Sequence, residues 1–341
     1  MKKILLVASA IALFLGACSV QDEKEVKSNH PKLSGPYMGQ KLPGKKAQIF
    51  APGIVSNGLS NRDVAITQDG KEMYFGMHNV DFTFSTIVVS KEVNGVWTQP
   101  EVVAFASNPK YIYLEPALSQ DDNKLFFLSN QPKNQVDTIS DEDIWVVDRA
   151  SDGWGEPYNL GAPINTNDKE FYPSITEDGT MYFTREKEGQ RKSAIYRSRL
   201  LDGVYQEPEL LPEQINCGAG RFNVSVAPDE SYVIVPAFGL KDGLGGVDYY
   251  IVFNNFDGTW TEPINMGETI NSSTGNEWSL YVTPDMKYFF FMATKKMQKN
   301  NYPDRLSCEF FESLAQQPEN GHSDIYWISS EIVDELRQKV H

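Results

Sequence analysis

Thr67-Gln68-Asp69-Gly70, followed by Met73-Tyr74-Phe75, reads as a tight turn that opens into a strand. The same design returns as Ser119-Gln120-Asp121-Asp122 before Leu125-Phe126-Phe127, and as Thr176-Glu177-Asp178-Gly179 before Met181-Tyr182-Phe183. Ala227-Pro228-Asp229-Glu230 precedes Tyr232-Val233-Ile234-Val235, and Thr283-Pro284-Asp285-Met286 precedes Tyr288-Phe289-Phe290-Phe291. The anchor aspartates lie 52, 57, 51 and 56 residues apart. A fixed period of this size marks a repeat architecture, in which each unit buries its apolar faces only against its neighbours. Aromatic and β-branched residues after an Asp-Gly-like turn favour a strand hairpin.

Each unit continues in the same way. A strand recurs as Ile87-Val88-Val89, Asp143-Ile144-Trp145, Ala194-Ile195-Tyr196, Asp248-Tyr249-Tyr250 and Asp324-Ile325-Tyr326-Trp327. A turn and a fourth strand follow in four units: Asn94-Gly95 to Pro100, Asp152-Gly153 to Pro157, Asp202-Gly203 to Pro208 and Asp257-Gly258 to Pro263. Proline suits an edge strand, where no ladder N–H is required. Four antiparallel strands of this kind make one propeller blade. The fifth unit lacks a fourth strand, and Ala47-Gln48-Ile49-Phe50-Ala51-Pro52 is a spare one at the front. The expected fold is therefore all-β: a β-propeller of five four-stranded blades, with the N-terminal strand closing the last blade and removing an open edge. Six blades is the alternative if residues 295–323 hold further sheet. The propeller is expected over residues 35–330, with a short helical tail at 331–341.

These Asp-Gly hairpins with Tyr-Phe second strands resemble the WD40-like (TolB-like) β-propeller repeats of bacterial envelope proteins, over roughly residues 47–329. Phe50-Ala51-Pro52-Gly53-Ile54-Val55 and Asn320-Gly321-His322-Ser323-Asp324-Ile325-Tyr326-Trp327 extend the likeness to a set of exported Bacteroidetes-type proteins. The resemblance implies a fold and a habit of binding. It implies no catalytic motif.

The front of the chain carries an address. Lys2 and Lys3 precede an apolar run from Ile4 to Leu15, the pattern of a secretory signal. The run is shorter than the roughly 20 residues that span a bilayer. Leu15-Gly16-Ala17-Cys18 resembles the lipobox of bacterial lipoproteins. That resemblance implies cleavage after residue 17 and lipidation of Cys18. Acyl chains such as palmitate contribute roughly 0.8 kcal/mol per buried methylene, so several chains on one cysteine anchor firmly. In lipoproteins of this type an Asp after the cysteine often signals inner-membrane retention, so with Ser19 the resemblance implies the outer membrane, on its periplasmic or surface face. Residues 18–34 are polar and read as a flexible linker.

Composition narrows the partners. Without Lys2 and Lys3 the chain has 29 basic against 46 acidic side chains, a net charge of −17. Such acidity argues against nucleic acid and against flat docking on anionic lipid. An envelope protein, a peptide or a glycan stays open as a partner. Cys217 and Cys308 are either a disulfide or two free thiols. His30, His78, His322 and His341 are scattered, so neither a metal site nor a cofactor is expected.

A candidate site follows from aligning the first strands on the anchor aspartates. Six residues back are Asp63, Glu115, Tyr172, Asn223 and Ser279; eight back are Asn61, Tyr113, Glu170, Arg221 and Glu277. Alternation by two places both sets on one face. Arg62, Leu114, Phe171, Phe222 and Trp278 then fall on the other, as packing between blades. Asp63, Glu115, Glu170 and Glu277, with Arg62 and Arg221, are expected to meet at one channel mouth, beside Tyr113, Tyr172 and Asn223. Such a mouth suits a polar or hydroxyl-bearing ligand. Paired carboxylates held about 5–10 Å apart are instead the equipment of a glycosidase. The leading expectation is a tethered binding protein; a hydrolase and an envelope scaffold are the alternatives. The anchor aspartates and Trp97, Trp154 and Trp260 read as structural. Two insertions stand out. Leu306 to Gln316 can form a helix with Phe310, Phe311 and Leu314 on one face, over the channel or against a partner. Gln131 to Glu142 carries Asp137, Asp141 and Glu142, without the spacing of a calcium loop.

Overall fold

The computed structural model describes residues 33–134, 136, 141–151, 153–187, 189–190, 192–273 and 277–339. The expected signal segment, Cys18, nearly all of the linker, Asp137, Asp152 and His341 lie outside them. Five antiparallel sheets form the five blades of a propeller. Blade 1 is built from Ser60–Ile66, Glu72–His78 and Ser85–Val93, and blade 2 from Tyr113–Leu118, Lys124–Ser129 and Asp143–Ala150. Blade 3 uses Lys169–Ile175, Met181–Lys187 and Lys192–Ser198. Blade 4 uses Ser225–Val226, Tyr232–Phe238 and Asp248–Phe253, and blade 5 uses Leu280–Val282, Tyr288–Lys296 and Asn320–Ser329.

The anchor turns have one construction. Asp69 accepts from the Thr67 hydroxyl at 2.8 Å and from the Lys71 amide at 3.0 Å. Asp121, Asp178 and Asp285 repeat both bonds, and Asp229 keeps the amide bond, from Ser231 at 3.0 Å. The next residue takes a positive φ in every blade: 69° at Gly70, 56° at Asp122, 84° at Gly179, 56° at Glu230 and 56° at Met286. Hydrogen bonds from Ser119 and Asn123 hold the Asp121 carboxyl below its usual range.

Proline divides the fourth strands. In blade 1 the outer partner of Ser85–Val93 comes in two pieces, Val96–Trp97 and Glu101–Val102, on either side of Pro100. Blade 2 repeats this with Gly153–Trp154 and Tyr158–Asn159 around Pro157. A residue without N–H interrupts the ladder, and an edge tolerates the gap.

The core lies between the blades. Five clusters of buried apolar residues fill the five joints, so both faces of each inner strand are covered. On one strand, Met73 and Phe75 pack towards blade 5 while Tyr74 packs towards blade 2. This explains near-continuous apolar runs where a half-exposed sheet would alternate.

Ring closure follows the spare strand. Gln48 pairs with Trp327 and Ile49 with Tyr326, and the Phe50 amide donates to Ile325 O at 2.8 Å. Phe50, Phe290 and Trp327 interlock with ring centroids 5.0–5.6 Å apart. Lys45 pairs with Glu335, where helix α2 (Ile332–Arg337) buries Ile332, Val333 and Leu336 against blade 5. The ring, its five joints and its closing strand all fall within residues 33–339, so this part carries its own fold. The six-blade alternative is not realised: residues 297–319 hold a short 3-10 turn, Lys299–Asn301, and helix α1, Cys308–Ala315, capped by Ser307.

Candidate functional site

The first strands do not alternate as simple strands. Asp63, Glu115, Tyr172 and Asn223, all six back from their anchors, take φ values of 53°, 60°, 54° and 50°. The strand register slips at this point in blades 1, 2 and 3, and blade 4 breaks into Gly220–Arg221 and Ser225–Val226. Each is a bulge, which re-aims a side chain. The consequence is a correction: Arg62 does not sit on the opposite face from Asp63. Both lie over Gly76, on the side facing Leu114 of blade 2.

Four of the expected residues do come together. Arg62 Nε donates to Asp63 Oδ2 at 2.6 Å, and Nη2 to Glu115 Oε1 at 3.2 Å. Glu115 Oε2 accepts the Tyr172 amide at 2.8 Å, a donor that the bulge releases from the ladder. The Tyr172 hydroxyl crosses to blade 5 and donates to Leu280 O at 2.9 Å. Tyr281 completes the belt, its hydroxyl 3.2 Å from both the amide and the carbonyl of Ile66 in blade 1. Burial pushes the Glu115 carboxyl up to about 8; Arg62 opposes the rise and Asp63 adds to it. Burial also works against the Arg62 charge, but Asp63 and Glu115 outweigh it and hold the guanidinium protonated.

The others stay in separate corners. Glu170, fully buried, accepts from the Thr166 amide and hydroxyl at 3.0 and 2.6 Å and from Arg185 Nε at 2.7 Å. Among the described residues Arg221 meets no carboxylate within bonding reach; it donates to Cys217 O, Ser193 O and Gly218 O at 2.9, 3.1 and 2.6 Å. Glu277 accepts from Ser272 Oγ at 2.8 Å, and burial pushes its carboxyl up to about 7. Tyr113 reaches Gln131 at 3.3 Å, and the Asn223 amide donates to Thr184 Oγ1 at 2.9 Å. Asn61 is buried with both amide atoms unpaired among the described residues. The expected single mouth is therefore one linked cluster of Arg62, Asp63, Glu115 and Tyr172, with Tyr113, Glu170, Arg221, Asn223 and Glu277 outside it.

Sequence reasoning missed Arg185, Thr166 and Tyr281. A signal for the bulge was present: Asp and Asn, the residues that best tolerate left-handed backbone, recur at its position as Asp63 and Asn223.

Space is distributed unevenly. The channel below the cluster opens towards the anchor turns, and its free volume is only about 50 Å³. That admits a few waters and no sugar ring. Larger hollows lie outside it. Polar ones at the turn end measure about 380 Å³ beside Asp69, Glu72 and Arg149 and about 350 Å³ beside Asp229, Met286 and Arg337. Two apolar ones lie at the other end. One of about 310 Å³ on blade 1 is lined by Leu59, Met77, His78 and Phe84. One of about 460 Å³ under the insertion is lined by Met297, Tyr302, Leu306, Phe310 and Leu314. Cys217 and Cys308 are both free, the first buried in the joint of blades 3 and 4 and the second exposed on α1. In the blade-2 insertion Asp141 pairs with Lys133 and Glu142 with Lys169, each at 2.9 Å. No group of three or more His, Cys, Asp or Glu side chains gathers as a metal site among the described residues.

No family model matches the sequence, and no curated protein matches it. Solved structures resemble the chain at low identity. Hydrazine synthase of Kuenenia stuttgartiensis is 16% identical, with 68% of this chain and 63% of that one covered and a TM-score of 0.38. A puromycin-hydrolyzing peptidase of Mycobacterium tuberculosis is 12% identical over 79% of this chain and 41% of that one, with a TM-score of 0.39. The chain thus spans less than two thirds of either. An endo-arabinase of Bacteroides thetaiotaomicron is 13% identical over 82% of this chain and 96% of that one, with a TM-score of 0.47. At this distance no activity passes from them to this chain.

Proposed function

We propose that this protein is a lipid-anchored envelope protein, tethered through Cys18 at the outer membrane, whose WD40-like propeller binds a partner and does not hydrolyse it. The observation that carries the reading is the state of the candidate acids. Asp63 and Glu115 share Arg62 above a 50 Å³ channel, and Glu170 is sealed by Arg185 and Thr166. An acid and a base flanking a sugar need room for the substrate and, in the inverting case, a water between them. Space for a ligand lies instead outside the channel, in the apolar hollows of blades 1 and 5 and in the polar hollows of the turn end.

Two measurements test this. Labelling with a palmitate analogue should mark the wild-type chain and not Cys18→Ala, which should leave the membrane fraction; an unlabelled wild-type chain overturns the anchor. A panel of glycans and peptides should show binding without turnover. Turnover abolished by Glu115→Gln or Glu277→Gln in a chain that still folds would establish the hydrolase instead.

A further inference from the structure

The ring has two chemically different ends. At the turn end, Asp69, Asp121, Asp122, Asp178, Asp229, Glu230 and Asp285 recur blade by blade, with Lys71, Lys91, Lys124, Arg149, Arg197, Lys287 and Arg337 set among them, so this end is densely charged. At the opposite end, blades 5 and 1 carry exposed apolar side chains at the same topological place, the connection from second to third strand. In blade 1 Val80 is 71% exposed and Phe84 57%, with Leu59 at 48% beside them. In blade 5 Tyr302 is 59% exposed, Leu306 69% and Phe311 56%.

The two groups form one surface. Gly58 O accepts from Asn320 Nδ2 at 3.0 Å and lies 2.9 Å from His322 Nδ1. A Cβ on Gly58 would stand 2.5 Å from Ala315 O, so the end of α1 rests directly on the backbone next to Leu59. The charges here nearly cancel: Lys296, Lys299 and Arg305 against Asp81, Asp304, Glu309 and Glu312. A nearly neutral apolar end on a strongly acidic body is unusual, since exposed apolar patches on soluble surfaces are small unless something covers them.

We propose that this end of blades 5 and 1 docks on a membrane surface, with Leu306, Phe311, Tyr302 and Phe84 entering the interfacial layer. For its bilayer the proposal rests on the tethered reading given above. Leu33 O accepts the Trp97 amide at 2.9 Å near the turn end. The roughly 15 residues from Cys18 to that point reach roughly 50 Å when extended, enough to let the body turn either end to the membrane. The tether keeps the bilayer at high effective concentration, so weak insertion suffices. The protruding positions of these side chains suit a fluid surface, which needs no matching partner shape. Lys296, Lys299 and Arg305 flank the apolar tips as cations flank interfacial segments. The densely charged turn end cannot enter the interfacial layer without losing its hydration, and the acidic body is repelled by anionic headgroups, so the nearly neutral apolar end is the one that faces the membrane.

The test uses residues 19–341, which contain the whole ring but neither the leader nor the lipid. Flotation with phosphatidylcholine vesicles, with and without phosphatidylglycerol, should carry the protein upward in both. The double variant L306D/F311D, with its thermal unfolding checked against the parent, should lower partition by roughly tenfold or more. Lys71→Ala at the turn end should leave partition unchanged. No flotation with either vesicle overturns the proposal, and so does flotation that L306D/F311D leaves intact. Sedimentation that shows a dimer, lost in L306D/F311D and without vesicle binding, assigns the surface to a second copy and also overturns it. Loss of the anchor reading through Cys18→Ala would leave the vesicle result standing, so the two failures are separable.

Discussion

The two ends of the first strands repeat in different senses. At the turn end the residues recur along with their bonds: each anchor aspartate accepts the amide two positions on, at 3.0–3.1 Å. At the bulge, six residues earlier, the backbone recurs in four blades while the side chains are Asp63, Glu115, Tyr172 and Asn223. The first kind of repetition solves the same local problem five times. The second reuses a backbone device to aim different chemistry at the channel. Repetition of residue with geometry marks structure; repetition of geometry alone marks a place where blades have separate tasks.

The largest test of this contrast is Arg62→Ala. It leaves Asp63 and Glu115 buried beside each other without their cation, and should cost about 3–5 kcal/mol in urea unfolding. A loss below about 1 kcal/mol would mean that the belt does not hold the channel.

The pH dependence comes next. Glu115 is pushed up to about 8 and Glu277 to about 7, so the folded state binds protons that the unfolded chain releases above its ordinary carboxyl range. Their contribution is complete in acid, below that ordinary range, and is lost as pH rises through about 7 and 8. Unfolding free energy should therefore fall between pH 5 and 8 by at least about 1 kcal/mol, and Glu115→Gln should flatten the slope. An unchanged slope in that variant would place the titration elsewhere.

The turn end should respond more weakly and evenly. Asp121→Ala, Asp178→Ala and Asp285→Ala each remove the bonds from the hydroxyl two positions before and the amide two positions on. Asp121 loses also the exposed Asn123 Nδ2 bond and Asp285 the exposed Lys287 pair. Each should cost about 1 kcal/mol, agreeing within about half of that. Unequal costs would break the claim that these three turns are equivalent. The smallest effect belongs to Tyr113→Phe. Among the described residues its hydroxyl makes a single long bond, to Gln131, so the unfolding free energy should change by no more than about 0.5 kcal/mol.

How much was legible varied with the range of the contact. The blades could be read because their decisive interactions are local and repeated: Asp to the residue two positions on, proline against a ladder, aromatic runs between turns. The closing strand was legible by elimination, since a fifth unit without an edge and an unpaired Gln48-Ile49-Phe50 have one economical solution. The site was less legible. The alternation rule assumes an unbroken strand, and one left-handed residue in each of four blades reverses it from that point on. Arg221 shows the limit well. Its sequence position offers it to the acids, yet a looped Cys217-Gly218 backbone captures it first.

By itself, then, the sequence determined the repeat, its five units and the order of closure, because those follow from short-range hydrogen bonding and apolar periodicity; that the insertion adds a helix and no sixth blade was decided by the structure. Only the tertiary structure decided which charges meet. Arg62 and Glu115 are 53 residues apart, and Tyr172 and Leu280 are 108 apart. Partners at such separations are chosen by the packing of whole blades and by the low polarity of the closed channel, which makes each buried charge find a counterpart or hold its proton.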